Sequence, residues 1–193
     1  MRSNISKAFG FLRIKYPEQE KGLSFILYYL PALLSVLICS FILIIEFMTV
    51  TSINIFTQTA FESISTFVQV LPGFYIAALA AIASYSNPFI DNAMAGSPPY
   101  LEDVDNRGTR KSFLSRRRFL TLMFGYLAAI SIILTIFLFV VRLGYETKIL
   151  SVDPIIYYSI YSLLCFMFFA IFSQMILVTL HGIYYLADRM HLP

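Results

Sequence analysis

The side chains that could carry chemistry are few and poorly placed for it: two histidines, two cysteines and eleven carboxylates in 193 residues. His181 and His191 have no cysteine or carboxylate at the spacing a tetrahedral zinc site requires. The stretch EDVDNRG (102–108) echoes the start of a calcium loop. Counted from Asp103, however, the fifth and twelfth ligand positions fall on Arg107 and Leu114, and neither offers a carboxylate. Intramembrane proteolysis needs a Ser/His pair, two aspartates inside spans or HExxH, and lipid-phosphoryl transfer needs clustered aspartates or a phosphate grip; the chain supplies neither set. It also lacks GxxxxGK[ST] and GxGxxG. Cys39 and Cys165 sit in apolar runs without a CxxC partner and read as small buried hydrophobes. An enzyme is the poorest reading, and no cofactor or metal is expected.

Polar groups inside apolar runs are more informative. FESISTFVQVLPGFY (61–75) carries Glu62, Gln69 and Pro72 within an oily segment. Advancing about 100° per residue from Glu62 gathers Ser65, Thr66, Gln69, Gly73, Ala77, Ala80 and Ser84 on one side. Ile64, Phe67, Leu71, Phe74, Tyr75, Leu79 and Ile82 take the other. Such a stripe is no lipid-facing surface. Glu62, in the first turn, stays hydrated near an interface, whereas at mid-bilayer a carboxylate costs about 2.5–3.5 kcal/mol. Gln69 lies deeper and needs a partner from another helix or a water; Ser173 and Gln174 lie too near the other face to reach it. Pro72 frees the Val68 carbonyl and predicts a kink, as does Pro31 in the first span. Glu62, Gln69 and Pro72 are therefore candidate switch residues. The small residues Gly73, Ala77, Ala80 and Ala81 lie at the same depth as Gly125, Ala128 and Ala129, which predicts close packing of the second and third spans. The stripe serves either as glue, within a protomer or across an oligomer, or as the lining of a path for water, ions or a ligand. No ion pair inside the spans matches Glu62, which argues against transport.

These residues need a membrane framework. The chain is 59% hydrophobic and 13% charged, with a mean hydropathy of +0.76, against about 45–50% and 25% for soluble domains. The excess is gathered into blocks, which predicts an all-α integral membrane protein, a four-transmembrane-helix bundle. The spans are 23–45, 60–84, 119–141 and 155–180. They are separated by an arm (1–22), a short loop (46–59), a long loop (85–118), a second short loop (142–154) and a tail (181–193). Of fourteen Lys/Arg, all but Arg142 and Lys148 fall in the arm, the long loop and the tail. The positive-inside rule therefore puts both termini and the long loop in the cytoplasm. Ile5, Phe9 and Leu12 share a helical face in the arm, so an interfacial helix is one reading and disorder the other. Tyr157, Tyr158 and Tyr161 at one end of the last span, and Tyr184 and Tyr185 at the other, fit aromatic belts.

The long loop passes from acidic (Glu102, Asp103, Asp105) to basic (Arg107, Arg110, Lys111) and ends in Arg116, Arg117 and Arg118. Three cations at a helix start oppose its dipole by a few tenths of a kcal/mol each. Anionic headgroups return about 1 kcal/mol per cation, so the triplet reads as a headgroup-level stop-transfer anchor, with a specific lipid or partner site as the alternative. The segregated charge before it is either a solvated loop or a docking site for a cytoplasmic partner.

Two charge-free spans at 23–45 and 119–141, the basic arm, and a basic loop ending in SRRRFL (115–120) give a layout that resembles the KwaA family, the four-span membrane component of the bacterial Kiwa anti-phage system. The resemblance runs the full length and carries no residue motif. It implies a non-enzymatic homo-oligomer, with a tetramer favoured, that senses disturbance of the membrane and holds a KwaB-like cytoplasmic DNA-binding effector without itself contacting nucleic acid. An oligomeric channel or small-solute transporter is the alternative.

Overall fold

The computed structural model describes residues 9–16, 25–48, 54–85, 88–92, 98–105, 108–147 and 154–186. Four helices are long and apolar enough to cross a membrane. They are α1 (Leu30–Met48), α2 (Thr59–Ser84), α3 (Arg116–Glu146) and α4 (Pro154–Tyr184). The four expected spans are therefore present, with shifted ends. At 31 residues each, α3 and α4 measure about 46 Å against a hydrocarbon thickness of about 30 Å, so both project beyond it. Ser115 starts α3 early by accepting the Arg118 N–H, and the Thr147 hydroxyl closes it by donating to the Leu143 carbonyl at 2.7 Å.

A π-helical turn, Phe25–Tyr29, leads into α1 just before Pro31. Widening the turn is a recognised way to accommodate a residue that lacks the amide donor. Pro72 lies within α2, which continues through it as one helix.

α2 packs along α3, α1 packs along α4, and α3 meets α4 between them. The third helix is the axis of the bundle: Leu120, Met123, Leu127 and Leu134 are all fully buried. On α1 the covered residues are a ridge at fourfold spacing (Pro31, Ser35, Cys39) and Glu46 near the far end, leaving Leu33, Val36, Leu37, Phe41 and Ile44 exposed. Cys39 and Cys165 are buried free thiols, as the sequence implied.

The expected long loop contains order the sequence reading missed. Strands β1 (Tyr100–Asp105) and β2 (Gly108–Phe113) form an antiparallel hairpin in which Glu102 faces Lys111 and Asp103 faces Arg110. The acid-to-base switch along the chain is thus the register of one strand on the other, where opposite charges directly across the pair are favourable.

Candidate functional site

Two regions hold the residues singled out above, one at each end of the long helices. At the Arg116 end the arm joins the hairpin. Lys15 exchanges backbone hydrogen bonds with Tyr100 at 2.9 and 3.0 Å, and its ammonium pairs with the Glu102 carboxylate at 2.7 Å. That bond holds the Lys15 pKa above the ordinary lysine value. A 3-10 turn, Gly10–Arg13, drives Phe11 against Phe119 and Tyr126 of α3, where it is 2% exposed. Phe9 meets Tyr126 edge-on. Gly10 fits because an added Cβ would lie 2.9 Å from Leu122. This part of the arm is thus a 3-10 turn anchored on α3 by its aromatics, with Phe9 half-buried and Leu12 exposed. Ile5 lies outside the described residues.

The arginine triplet divides into three environments. Arg117 reaches back to α2, donating to the carbonyls of Ile82, Ala83 and Tyr85 at 3.3, 3.4 and 2.9 Å. It also grips both Asp91 carboxylate oxygens at 2.7 and 3.1 Å. A cation that opposes the α3 dipole thus satisfies the C-terminal end of α2, where positive charge is favoured. Arg116 is buried, and its backbone N–H donates to Asn92. Arg118 is exposed and donates to the Ser112 hydroxyl at 3.1 Å. Of the three, Arg118 alone is exposed, Arg117 is half-buried and Arg116 is buried. Of the docking candidates, Glu102 is half-buried by Lys15, and Lys111 is exposed over the Tyr100 ring at 4.9 Å. The side chains of Asp103, Asp105 and Arg110, together with Arg107, lie outside what is described.

At the opposite end, Glu62 pairs with Arg142 at 2.9 Å, and Arg142 also pairs with Glu146 at 3.1 Å. Arg142 lies just beyond the expected third span, so this pair is at the helix ends rather than inside the spans. Antiparallel packing sets the first turn of α2 beside the last turns of α3, so two residues flanking different spans meet. Asn54 stitches the preceding turn to α4: its amide donates to Tyr157, and the Ile55 N–H donates to Tyr161, each hydroxyl accepting within 3.2 Å. Phe56 fills the space beneath, against Phe61, Tyr145, Tyr161 and Phe168. Tyr161 and Tyr185 are core residues rather than belt residues, at 1% and 6% exposure, while Tyr158 and Tyr184 are exposed. The tail beyond residue 186 lies outside the described residues.

The α2 stripe faces out of the protomer. Glu62, Thr66, Gln69, Gly73, Ala77, Ala80 and Ser84 are all exposed, while Val68, Leu71, Tyr75 and Ile82 are buried. Its hydroxyls turn onto their own helix, Thr66 to the Glu62 carbonyl and Ser84 to that of Ala80, both at 2.9 Å. Gln69 donates to Ser65 at 3.2 Å on the same face. The predicted small-on-small seam is therefore corrected. The α2–α3 contact exists but is made by larger side chains, and a Cβ added at Gly73 or Gly125 would meet nothing within 4 Å. Ala81 is exposed, Ala129 half-buried, and Ala128 is the covered member of the set. The close approach comes elsewhere: a Cβ on Gly182 of α4 would lie 2.5 Å from the Met123 Cε. Polar links between helices likewise avoid Gln69. Tyr126 donates to Gln174 at 3.0 Å. The Thr179 hydroxyl donates to the Met175 carbonyl, so Tyr75 is the donor in its 2.6 Å bond to Thr179.

No protein-family model matches the chain, and no curated protein or solved structure is detectably similar to it. The site must be read from its own geometry.

Proposed function

We propose that the chain is a non-enzymatic sensor and scaffold of the bacterial inner membrane that oligomerises and recruits a cytoplasmic effector in anti-phage defence. The observation that carries this reading is the coupling at the Arg116 end. Arm, hairpin and α3 form one folded platform, and Arg117 ties it to the end of α2. A shift of α2 in the bilayer would therefore move a soluble surface. The excess of Lys/Arg on this end supports a cytoplasmic location for it, and the layout that resembles KwaA suggests the biological setting. Oligomerisation is supported by the outward stripe, because lipid offers Gln69 no hydrogen bond and a neighbouring copy does.

Lys111→Glu with Arg118→Glu alters two exposed cations that hold no helix together. The account expects the pair to abolish co-purification with a KwaB-like soluble effector while leaving the membrane-extracted bundle folded; undiminished binding removes the hairpin as the docking surface.

The same stripe also favours a second reading, in which α2 lines a water-filled path through an oligomer. Liposomes that release ions or a small solute only when they hold the protein would support it; tight liposomes would remove it.

A further inference from the structure

The arm meets the hairpin along a strand edge that it only partly uses. Lys15 forms an isolated bridge with Tyr100, donating its N–H to the Tyr100 carbonyl at 2.9 Å and accepting the Tyr100 N–H at 3.0 Å. Among the described residues the arm makes no other backbone bond to β1, because it turns away through Gly10–Arg13. In an antiparallel ladder the backbone groups of alternate residues point to the same side. Those of Glu102 and Val104 therefore point to the arm side with those of Tyr100, and of that edge the described part of the arm takes Tyr100 alone. The polar ties are also light. The Lys15 side chain is 55% exposed in its pair with Glu102, and exposed ion pairs contribute little. The Tyr28 hydroxyl reaches the Leu12 carbonyl only at 3.5 Å. Burial of Phe11 and Ile14 is the larger share of what seats the arm. A strand edge with backbone groups to spare is a template for another extended chain.

We propose that the outer edge of β1 docks an extended segment of the cytoplasmic partner with a lysine or arginine opposite Glu102, and that the arm is a displaceable strap over that edge. The charge follows from the register. Inside the hairpin Glu102 faces Lys111, and from the arm it takes Lys15, so a cation is favoured beside it on either flank. An incoming strand keeps the bond pattern at Tyr100, extends it along Glu102 and Val104, and lifts Lys15 and Ile14 away. Main-chain pairing that the arm does not make favours the exchange. This rests on the recruiter reading and names the contact by which the hairpin recruits.

The probe is the end-blocked peptide GTRKSF, the sequence of β2, because it already matches β1 in pairing and charge. The peptide GTEESF is its charge-reversed control. Ile14→Cys places a thiol beneath the strap, since Ile14 is 6% exposed, and the native thiols are buried. In detergent, millimolar GTRKSF should speed maleimide labelling of Ile14→Cys several-fold, and GTEESF should leave the rate unchanged. No acceleration by GTRKSF, or equal acceleration by both peptides, overturns the proposal. Should Ile14→Cys fail to fold, amide exchange of the unaltered protein decides. With GTRKSF present, exchange should quicken across residues 11–15 while Tyr100 stays protected. Faster exchange at both places, or no change at either, contradicts the docking. Neither measurement contains the effector, so the edge and the recruiter reading fail separately.

Discussion

Gly182 and Gly125 separate two uses of a residue without a side chain. Gly182 lets α4 close on Met123, whereas Gly125 faces open space. Gly182→Val should lower bundle stability by about 1–3 kcal/mol through overpacking. Gly125→Ala should leave it unchanged or raise it by about 0.5–1 kcal/mol, because a helix-interior glycine gives up more backbone freedom than alanine. Thermal unfolding in detergent checks both, and the reverse order would contradict the packing described. Which glycine mattered was not legible in the sequence. Spacing identifies small residues at equal depth, but not the rotation of one helix about its axis that decides whether they meet. The stripe itself was legible as a set of exposed positions, although Phe67, Val70, Phe74 and Ile76 share the exposed surface of α2. Its direction was not, because a polar face is expelled from lipid equally well toward a protomer's interior or toward another copy.

Arg117 links two helices and a connecting segment through bonds that no single-helix rule anticipates. Dipole reasoning flags cations at the start of α3 as unfavourable; the fold resolves that conflict by aiming Arg117 at the end of α2. Arg117→Ala should destabilise the last turn of α2 by about 2 kcal/mol, since hydrogen bonds from a charged donor are the costlier ones to remove. Arg118→Ala, from an exposed position, should change local stability by no more than about 0.5 kcal/mol. Amide exchange across residues 78–85 measures the difference, and equal protection in both variants would refute the cap. The hairpin was hidden for a related reason. An acidic run followed by a basic run reads as segregated charge until the strands are aligned, when Glu102 opposes Lys111. Lys15 adds a third partner whose proton is held more tightly by Glu102. A raised lysine pKa stabilises at every pH below the ordinary lysine value and is lost only as pH rises past the shifted one. Arm docking, followed by protease cleavage, should therefore be indifferent to pH through the neutral range and weaken in strong alkali as Lys15 loses its proton.

For the molecule as a whole, composition and block length were sufficient to find four spanning helices, because about twenty consecutive apolar residues have few other fates. The α2–α3 pairing was anticipated from small residues at equal depth, although larger side chains make the contact; the α1–α4 pairing was beyond that information. Function depends on a further property, that the platform at the Arg116 end lies in the cytoplasm. Single cysteines test this directly, since the native Cys39 and Cys165 are buried. Lys111→Cys on the hairpin and Thr57→Cys at the opposite end are both exposed. With a membrane-impermeant maleimide, Lys111→Cys should label in inverted inner-membrane vesicles and Thr57→Cys in intact spheroplasts. Labelling of Lys111→Cys from outside the spheroplast would contradict the account, because a surface on that side cannot recruit a cytoplasmic effector.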